Sequence, residues 1–511
     1  MSHALSWLPW LPTLCYLAGS LLAGALAAQR WRVGAAATRI ALAPALLGCV
    51  LALTSAHARP QPAAALLSAL IAFLGWIIGD FSQRQLQGEP GQTRFVMAYL
   101  LTLGAVDAVV QSRNLALLIL AWAASSAALH HLLTFYRDRP AARIAAHKKF
   151  LVSRLAEGCL VVAAVLLYQR WGTLALGQID ARAAASASLP PAAGAAATLI
   201  AIAVLLKSAQ LPLHGWLMQV MEAPTPVSAL LHAGVVNLGG YVLIRFAPLI
   251  DASPSARTLL VLCGSLTAVL AGLVTLTRIT IKVRLAWSTC SQMGLMVLEC
   301  GLGLHELALL HLLAHALYKA HGFLTSGGAV RSQRADLFRD GGDPLPRGAS
   351  WLAPLLALPV TALAIMGSAA LWQRFLGLPP LPVIAPWLLA CGLATLLWQD
   401  GRHFAGSVRG MLAIGAGTQL YLGAHWLLDR CVGIPASTGS PLLATWTVAM
   451  ILALYMAQVL LFRRPRSTRT GRWYDWAYAG FYLDERFTRL TFRLWPLPAR
   501  PDTAAGSGSA A

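Results

Sequence analysis

Charged residues are scarce in this sequence. Only 11% of its 511 residues are charged and 58% are hydrophobic, whereas soluble domains carry about a quarter charged residues. This shortage excludes a water-soluble globule. Close cysteine spacing is also absent, so the sequence predicts no disulfide, no metal site and no cofactor. The eight cysteines are Cys15, Cys49, Cys159, Cys263, Cys290, Cys300, Cys391 and Cys431.

The sequence also lacks a basic domain, although its formal net charge is +20. The Lys and Arg residues do not gather in one segment or alternate with aromatic residues, which argues against nucleic-acid binding. They fall between apolar runs and concentrate in alternate connections, for example at 137–149 and 331–339. The positive-inside rule then predicts that the N-terminus lies outside and the C-terminus lies in the cytoplasm.

Long apolar runs fill the chain up to about Arg463. Runs of roughly 17 to 25 apolar residues are typical of membrane-spanning helices. We therefore predict an all-α polytopic membrane protein with about 15 transmembrane helices, forming one domain at 1–463. Residues 464–511 are predicted to be a cytoplasmic tail, with an amphipathic segment for the membrane surface or a docking partner and a disordered end.

Lys207 is predicted to lie near the middle of a membrane helix at 195–219. A charge at this depth costs about 2.5–3.5 kcal/mol, so it must be paired, hydrated or functional. Pro212, Pro224 and Pro226 follow in the sequence, and they predict a broken helix beside a hydrated cavity. A lysine there can load and release a proton. The structural alternative is a lysine that snorkels to the surface or is permanently paired with an acid.

His311, His315 and Lys319 are spaced four residues apart, so they share one helical face. Histidine can accept a proton on one ring nitrogen and donate from the other, which suits a proton wire. His232 is a further candidate, although a lone buried histidine is equally typical of ordinary packing. Among the acids, Glu157 is the best candidate partner for Lys207, and two acids rank lower. These are Asp107 and Glu222, the latter within the predicted break.

Two long segments resemble the antiporter-like subunits of respiratory complex I and Mrp antiporters. They read LKSAQLPLHGWLMQVMEAPTPVSALLHAGVVNLGGYVLIRF and IKVRLAWSTCSQMGLMVLECGLGLHELALLHLLAHALYKAHGFLTSGG. The resemblance implies two inverted repeats of five helices, each with a broken helix, and protons that pass along buried lysines, histidines and waters. The positions that match the family's functional residues are Lys207, His232, His311, His315 and Lys319. Glu157 matches a common acid of the family, and Lys282 matches a lysine whose place also fits a topology charge.

One departure from the family pattern is informative. The family's fifth helix normally presents a glutamate in a GWE-like motif that pairs with the lysine of the broken helix, and this sequence has Ala123 there. With FSQRQLQGEPGQTRF and GFYLDERFTRL, the chain most resembles the DabB family, the membrane subunits of bacterial inorganic carbon pumps. That resemblance implies the bacterial inner membrane, proton flux that powers conversion of carbon dioxide to bicarbonate, and a DabA-like zinc-containing peripheral partner on the cytoplasmic face.

Two alternatives stay open. The chain can be a proton-translocating subunit of an NADH-quinone oxidoreductase or a cation/proton antiporter, or a non-conducting membrane anchor for a peripheral partner. An enzyme in its own right is not expected, because the sequence has no nucleophile with its base and no Gly-rich phosphate loop.

Overall fold

The structure, a computed structural model, describes residues 7–54, 62–136, 138–186, 188–328, 352–398, 404–432, 440–463, 468–494 and 496. The described residues form helices joined by turns and loops, and Asn114 and Ala175 form an isolated β-bridge. The α-helices are α1 (Leu11–Ala25), α2 (Arg30–Thr54), α3 (Pro62–Gln85), α4 (Gln92–Gln111), α5 (Leu115–Leu133), α6 (Pro140–Trp171), α7 (Leu176–Ala185), α8 (Pro191–Lys207), α9 (Gly215–Met218), α10 (Thr225–Ala233), α11 (Leu238–Arg245), α12 (Ala247–Asp251), α13 (Pro254–Thr277), α14 (Ile281–Gly301), α15 (His305–Thr325), α16 (Leu352–Leu376), α17 (Ala385–Leu393), α18 (Thr395–Trp398), α19 (Phe404–Val432), α20 (Pro441–Arg463), α21 (Thr468–Tyr478) and α22 (Leu483–Leu494).

The apolar helices of this chain are long enough to cross a membrane. Ten helical segments of the described part meet the length and hydropathy expected of a span, and Pro191–Lys207 and Ala385–Leu397 are shorter apolar helices. The chain is therefore an all-α polytopic membrane protein, as predicted. Helices α14 and α15 have 21 residues each, but both carry polar side chains among the apolar ones. The predicted total of about 15 spans stays a prediction.

Helices α13 and α14 pack backbone against backbone. A Cβ atom added to Gly294 would lie 2.6 Å from the nitrogen of Ala268 and 2.7 Å from the carbonyl oxygen of Gly264. Small residues permit such close approach between membrane helices. Helix α14 is therefore held firmly against α13, and the polar side chains that it carries are fixed in place.

Helix α6 begins at Pro140, inside the segment 137–149 that the charge pattern assigned to a connection. The prediction that Lys148 and Lys149 lie in a loop as topology charges is wrong, because both lie within α6 and are 0% and 5% exposed. Pro140 suits the first helical turn, and no helix breaker follows it. Each ammonium group has an oxygen partner, so its burial is compensated.

The predicted break beside Lys207 is confirmed, because α8 ends at that residue. Ala209 has a positive φ of 53°, and Pro212 has no N–H to continue a helix. The N–H of Leu211 instead donates to Thr267 Oγ1 of α13 at 3.1 Å. Neighbouring protein thus satisfies the backbone groups that the break frees, as a membrane interior requires.

The tail helices α21 and α22 pack against the end of the bundle where α14 begins. Tyr474 donates to the Thr277 carbonyl at 3.5 Å, and Asp484 pairs with Lys148 at 2.9 Å. Asp484 also lies against Gly215, where it occupies the place of a Cβ atom. The predicted domain boundary at 463 stays a prediction. The charge cluster at 331–339 and the low-complexity end at 504–511 lie outside the described residues.

Candidate functional site

Lys207 is buried in a polar pocket at the C-terminal end of α8. Its ammonium group donates to Glu157 Oε1 at 3.2 Å and to Ser126 Oγ at 3.1 Å. It also lies 4.7 Å from the centroid of the Trp122 ring, which gives a cation–π contact. An ion pair and a neutral hydroxyl therefore surround this lysine, which is 8% exposed.

Glu157 joins Lys207 to a second cation. Its Oε2 lies 2.8 Å from Arg154 Nη2, and its Oε1 lies 3.2 Å from Lys207. The Lys207 ammonium also bonds residues on both sides of Ala123, namely the Trp122 carbonyl at 3.4 Å and the Ser126 hydroxyl. The structure thus brings an acid from α6 to the lysine, next to the turn of α5 where the family pattern has its glutamate.

Lys149 is a buried cation of this region that the sequence analysis assigned to a loop. Its ammonium donates to the carbonyl of Ser126 at 3.2 Å, and the hydroxyl of the same residue contacts Lys207. A pocket of about 170 Å³ opens here, and Lys149, Ser126, His130 and Arg154 contribute to its lining. Polar groups thus reach from this pocket to the ion pair. A helical pattern that extends back to Pro140 was the available signal that Lys149 lies in a helix, but its burial depends on contacts with other helices.

The predicted stripe on α15 has a different environment at each residue. His311 Nδ1 lies 3.0 Å from both oxygens of Glu299, and its Nε2 lies 2.7 Å from Gln292 Oε1. The rings of His311 and His315 are 6.2 Å apart. Lys319 donates to the Leu285 carbonyl at 3.1 Å and to the Ser288 hydroxyl.

His232 and His315 are buried histidines whose ring nitrogens have no hydrogen-bond partner in the described part of the chain. The His232 ring stacks on Phe323 of α15, with centroids 4.4 Å apart. Lys319 acts electrostatically on both histidines, and His232 acts on His315. The structure therefore brings His232 to the α15 stripe. Unpaired ring nitrogens inside a protein are the kind of group that an internal water satisfies.

The three lower-ranked candidates lie apart from these clusters. Asp107 is fully buried and accepts hydrogen bonds from Thr13 and Ser68, both at 2.6 Å. Glu222 forms a partly exposed pair with Arg139 at 3.5 Å. Lys282 is half-buried and donates to Thr225 Oγ1 at 3.0 Å.

Glu299 is the residue of this region that the sequence analysis missed. It lies in α14 and is 5% exposed. An isolated acid inside an apolar run, here VLECG, was the available signal, because such acids are costly unless they are paired or functional. Its partner His311 is 12 residues away, so no short motif joins the two. Within the described ranges, no group of three or more His, Cys, Asp or Glu residues is arranged to hold a metal ion.

The broken helix and the histidine and lysine stripe lie within the segment that matches a known family. Residues 112–380 match the family model described as "NADH:quinone oxidoreductase/Mrp antiporter, TM". This chain belongs to that family. Its relatives include the "Probable inorganic carbon transporter subunit DabB" of Hydrogenovibrio crunogenus, which is 41% identical over 84% of this chain and 82% of the relative.

A respiratory relative is also similar. The NADH-quinone oxidoreductase subunit L of Mycobacterium tuberculosis is 35% identical over 61% of this chain and 47% of its own length. Among solved structures, a chain of the Mrp complex from Dietzia sp. DQ12-45-1b superimposes with a TM-score of 0.59 at 24% identity, over 96% of this chain and 61% of that one. This likeness establishes a common fold. Relatives of this kind are membrane transport and respiratory subunits, and the chain shares their membrane architecture.

Proposed function

We propose that this chain is the membrane subunit of an energy-coupled inorganic carbon pump and that it conducts protons. The proposed proton path comprises Lys207 with Glu157, then His232, His315, Lys319 and His311. Protons that move down their gradient along this path supply free energy to a peripheral partner. The chain itself carries out no carbon dioxide chemistry in this proposal.

One observation carries the proposal, namely that buried titratable groups line both sides of a broken helix. Lys207 ends α8 in an ion pair, and His232 on α10 stacks on Phe323 of α15, the helix that carries the stripe. The unpaired ring nitrogens of His232 and His315 suit water-mediated proton hops, because neutral imidazole can accept and donate at once. A helix that only packs against its neighbours does not require buried titratable side chains, which are costly in free energy inside a membrane.

The identity of the partner rests on the relatives rather than on the site. Two DabB-type relatives, 41% and 39% identical, are named as probable inorganic carbon transporter subunits. We propose a DabA-like, zinc-containing partner on the cytoplasmic face, in which hydration of carbon dioxide takes place. The same proposal places the chain in the bacterial inner membrane with the N-terminus outside and the C-terminus in the cytoplasm, as its basic connections favour.

The test is accumulation of labelled inorganic carbon in cells that express both subunits. We expect Lys207→Ala and Lys319→Ala to reduce uptake at least about a hundredfold, the range in which a positioned acid or base contributes to proton transfer. A protonophore should abolish uptake in the unmodified complex. His321→Ala is the matched control, since His321 lies on the same helix as Lys319 but is exposed. Full uptake in either lysine variant would contradict the proposal.

A second candidate function is proton or cation transport within a respiratory or Mrp-type complex. The 35% identity to subunit L supports this second function. Ala123 argues against it, because the family's usual glutamate is missing at that position. The neighbouring genes distinguish the two, since a run of respiratory subunit genes differs plainly from one large DabA-like gene. A non-conducting anchor remains a third candidate, and it predicts that the α15 stripe tolerates apolar replacement.

A further inference from the structure

A large cavity lies between α13, α14, α15, α17, α19 and α20. Its volume is about 470 Å³, which is room for roughly 15 waters at about 30 Å³ each. Most of the wall is apolar, but Ser288, Gln292, Glu299, His311 and Tyr421 contribute polar atoms. A cavity of this size with such groups is suited to hold water.

Different titratable groups lie at the two ends of this cavity. Ser288 and Glu299 both lie on α14, separated by about 16 Å at a rise of about 1.5 Å per residue. At the first end, the Lys319 ammonium donates to the Ser288 hydroxyl. At the other end, Glu299 holds His311. The cavity thus connects the lysine of the α15 stripe to a carboxylate that no part of the sequence pattern singled out.

His311 has an oxygen atom opposite each of its ring nitrogens in this arrangement. Nδ1 faces two carboxylate oxygens at 3.0 Å, and Nε2 faces the Gln292 Oε1 at 2.7 Å. Both nitrogens therefore face acceptors, and a ring that donates from both carries two protons and a positive charge. Glu299 supplies the opposite charge that a buried imidazolium needs. In contrast, no described residue bonds either nitrogen of His315.

We propose that His311 and Glu299 form a proton-exchange site at which protons from this cavity enter the path to Lys319, with Glu299 as the inlet acid. The charged His311 ring gives a proton, relayed by water, to neutral Lys319, which leaves a neutral ring beside the Glu299 carboxylate. Glu299 then takes a proton from hydronium in the cavity and passes it to His311 Nδ1, which restores the charged ring and the carboxylate. This inference rests on the proposed proton path.

A second His–Glu pair continues in the same direction. Tyr421 lines the cavity, and its ring stacks on His425 of α19 with centroids 6.1 Å apart. His425 Nδ1 lies 2.5 Å from Glu306 Oε1, and Glu306 is in the first turn of α15. The proposed inlet therefore extends toward the connection between α14 and α15, which the proposed orientation places on the outer face.

The first test is Glu299→Gln in the complete two-subunit system, which keeps the size of the side chain and removes its charge. We expect labelled carbon uptake to fall at least about tenfold, with partial recovery in Glu299→Asp. Asp80→Asn is the matched control, because Asp80 belongs to a partly exposed pair with Arg39, does not line the cavity and should leave uptake unchanged. Normal uptake in Glu299→Gln would overturn the inference.

Lys319→Ala, measured in parallel, separates this inference from the proposed function. Loss of uptake in Lys319→Ala with normal uptake in Glu299→Gln contradicts the role of Glu299 as inlet acid alone. Normal uptake in both variants contradicts the proposed proton path as well.

A second readout does not depend on transport or on the stability of Glu299→Gln. Cys391 lines the cavity, so a variant of the full chain that retains this single cysteine reports on water access. We expect a small membrane-impermeant thiol reagent to label Cys391 in the folded complex when added from the outer side. Labelling that occurs only after denaturation, or only from the cytoplasmic side, would overturn the inference.

Discussion

Lys207 and Lys319 are both buried lysines at the centre of this protein, but their surroundings differ. Lys207 has a carboxylate at 3.2 Å and an aromatic face at 4.7 Å. The oxygens bonded to Lys319 are neutral, from Leu285 and Ser288. The burial of a charge is thus compensated by an ion pair in one case and by hydrogen bonds to neutral oxygens in the other. Two lysines that the sequence pattern treats alike are therefore suited to different steps of one path.

Glu157→Gln should have the largest effect on this comparison, because it makes the surroundings of Lys207 resemble those of Lys319. It leaves the Lys207 and Arg154 charges without their carboxylate, and loss of one partner of a buried ion pair costs about 3 kcal/mol or more. We expect uptake to fall about a hundredfold and the thermal unfolding temperature of the detergent-purified chain to drop. Wild-type uptake and stability together would show that the ion pair is dispensable.

Ala123→Glu sharpens the same comparison as a rescue. Residue 123 lies between two residues that already contact Lys207, so a glutamate there should reach the ammonium group. We expect the double variant Glu157→Gln/Ala123→Glu to recover a measurable part of uptake. Ala124→Glu in the same background is the control, since one residue turns a helical side chain by about 100°. Equal recovery in both double variants would argue against a specific pair.

Replacement of each lysine by methionine should change the free energy of unfolding by different amounts at the two positions. Lys207→Met leaves Glu157 buried with one cation fewer, and we expect a loss of about 2 kcal/mol. Lys319→Met removes a charge that no carboxylate of the described ranges pairs with, so we expect a change near zero or a small gain. Thermal or denaturant unfolding in detergent measures both. A larger loss for Lys319→Met would reverse the comparison.

Asp484→Asn should have the smallest effect, since it acts on the tail rather than on either lysine. It weakens the contact with buried Lys148, and because Asp484 is 29% exposed, solvent screening limits the expected loss to about 1 kcal/mol. Limited proteolysis and hydrogen exchange of α22 measure it, and we expect faster cleavage and exchange there. Glu485→Gln is the control, because Glu485 is exposed on the same helix. Unchanged protection of α22 would mean that this ion pair does not hold the tail.

Local patterns predicted the elements of the site that depend on neighbours in sequence. The spacing of four residues predicted the α15 stripe, and three prolines predicted the break after Lys207. Contacts between distant segments were harder to foresee. Glu299 meets His311 across two helices, and Lys148 meets an acid 336 residues away. Charge clusters beside apolar runs are typical of membrane loops, so the burial of Lys148 required knowledge of its contact with the tail, and that of Lys149 required knowledge of its contact with α5.

The contact between Asp484 and Gly215 has a practical consequence for work on this protein. The tail helix is seated where residue 215 has no side chain, and residue 215 begins the helix that resumes after the break. A fluorophore or spin label on α22 will therefore sense displacement of that segment. A fusion at the C-terminus is attached to the same helix, so its influence on transport should be measured before the fusion is used as a neutral handle.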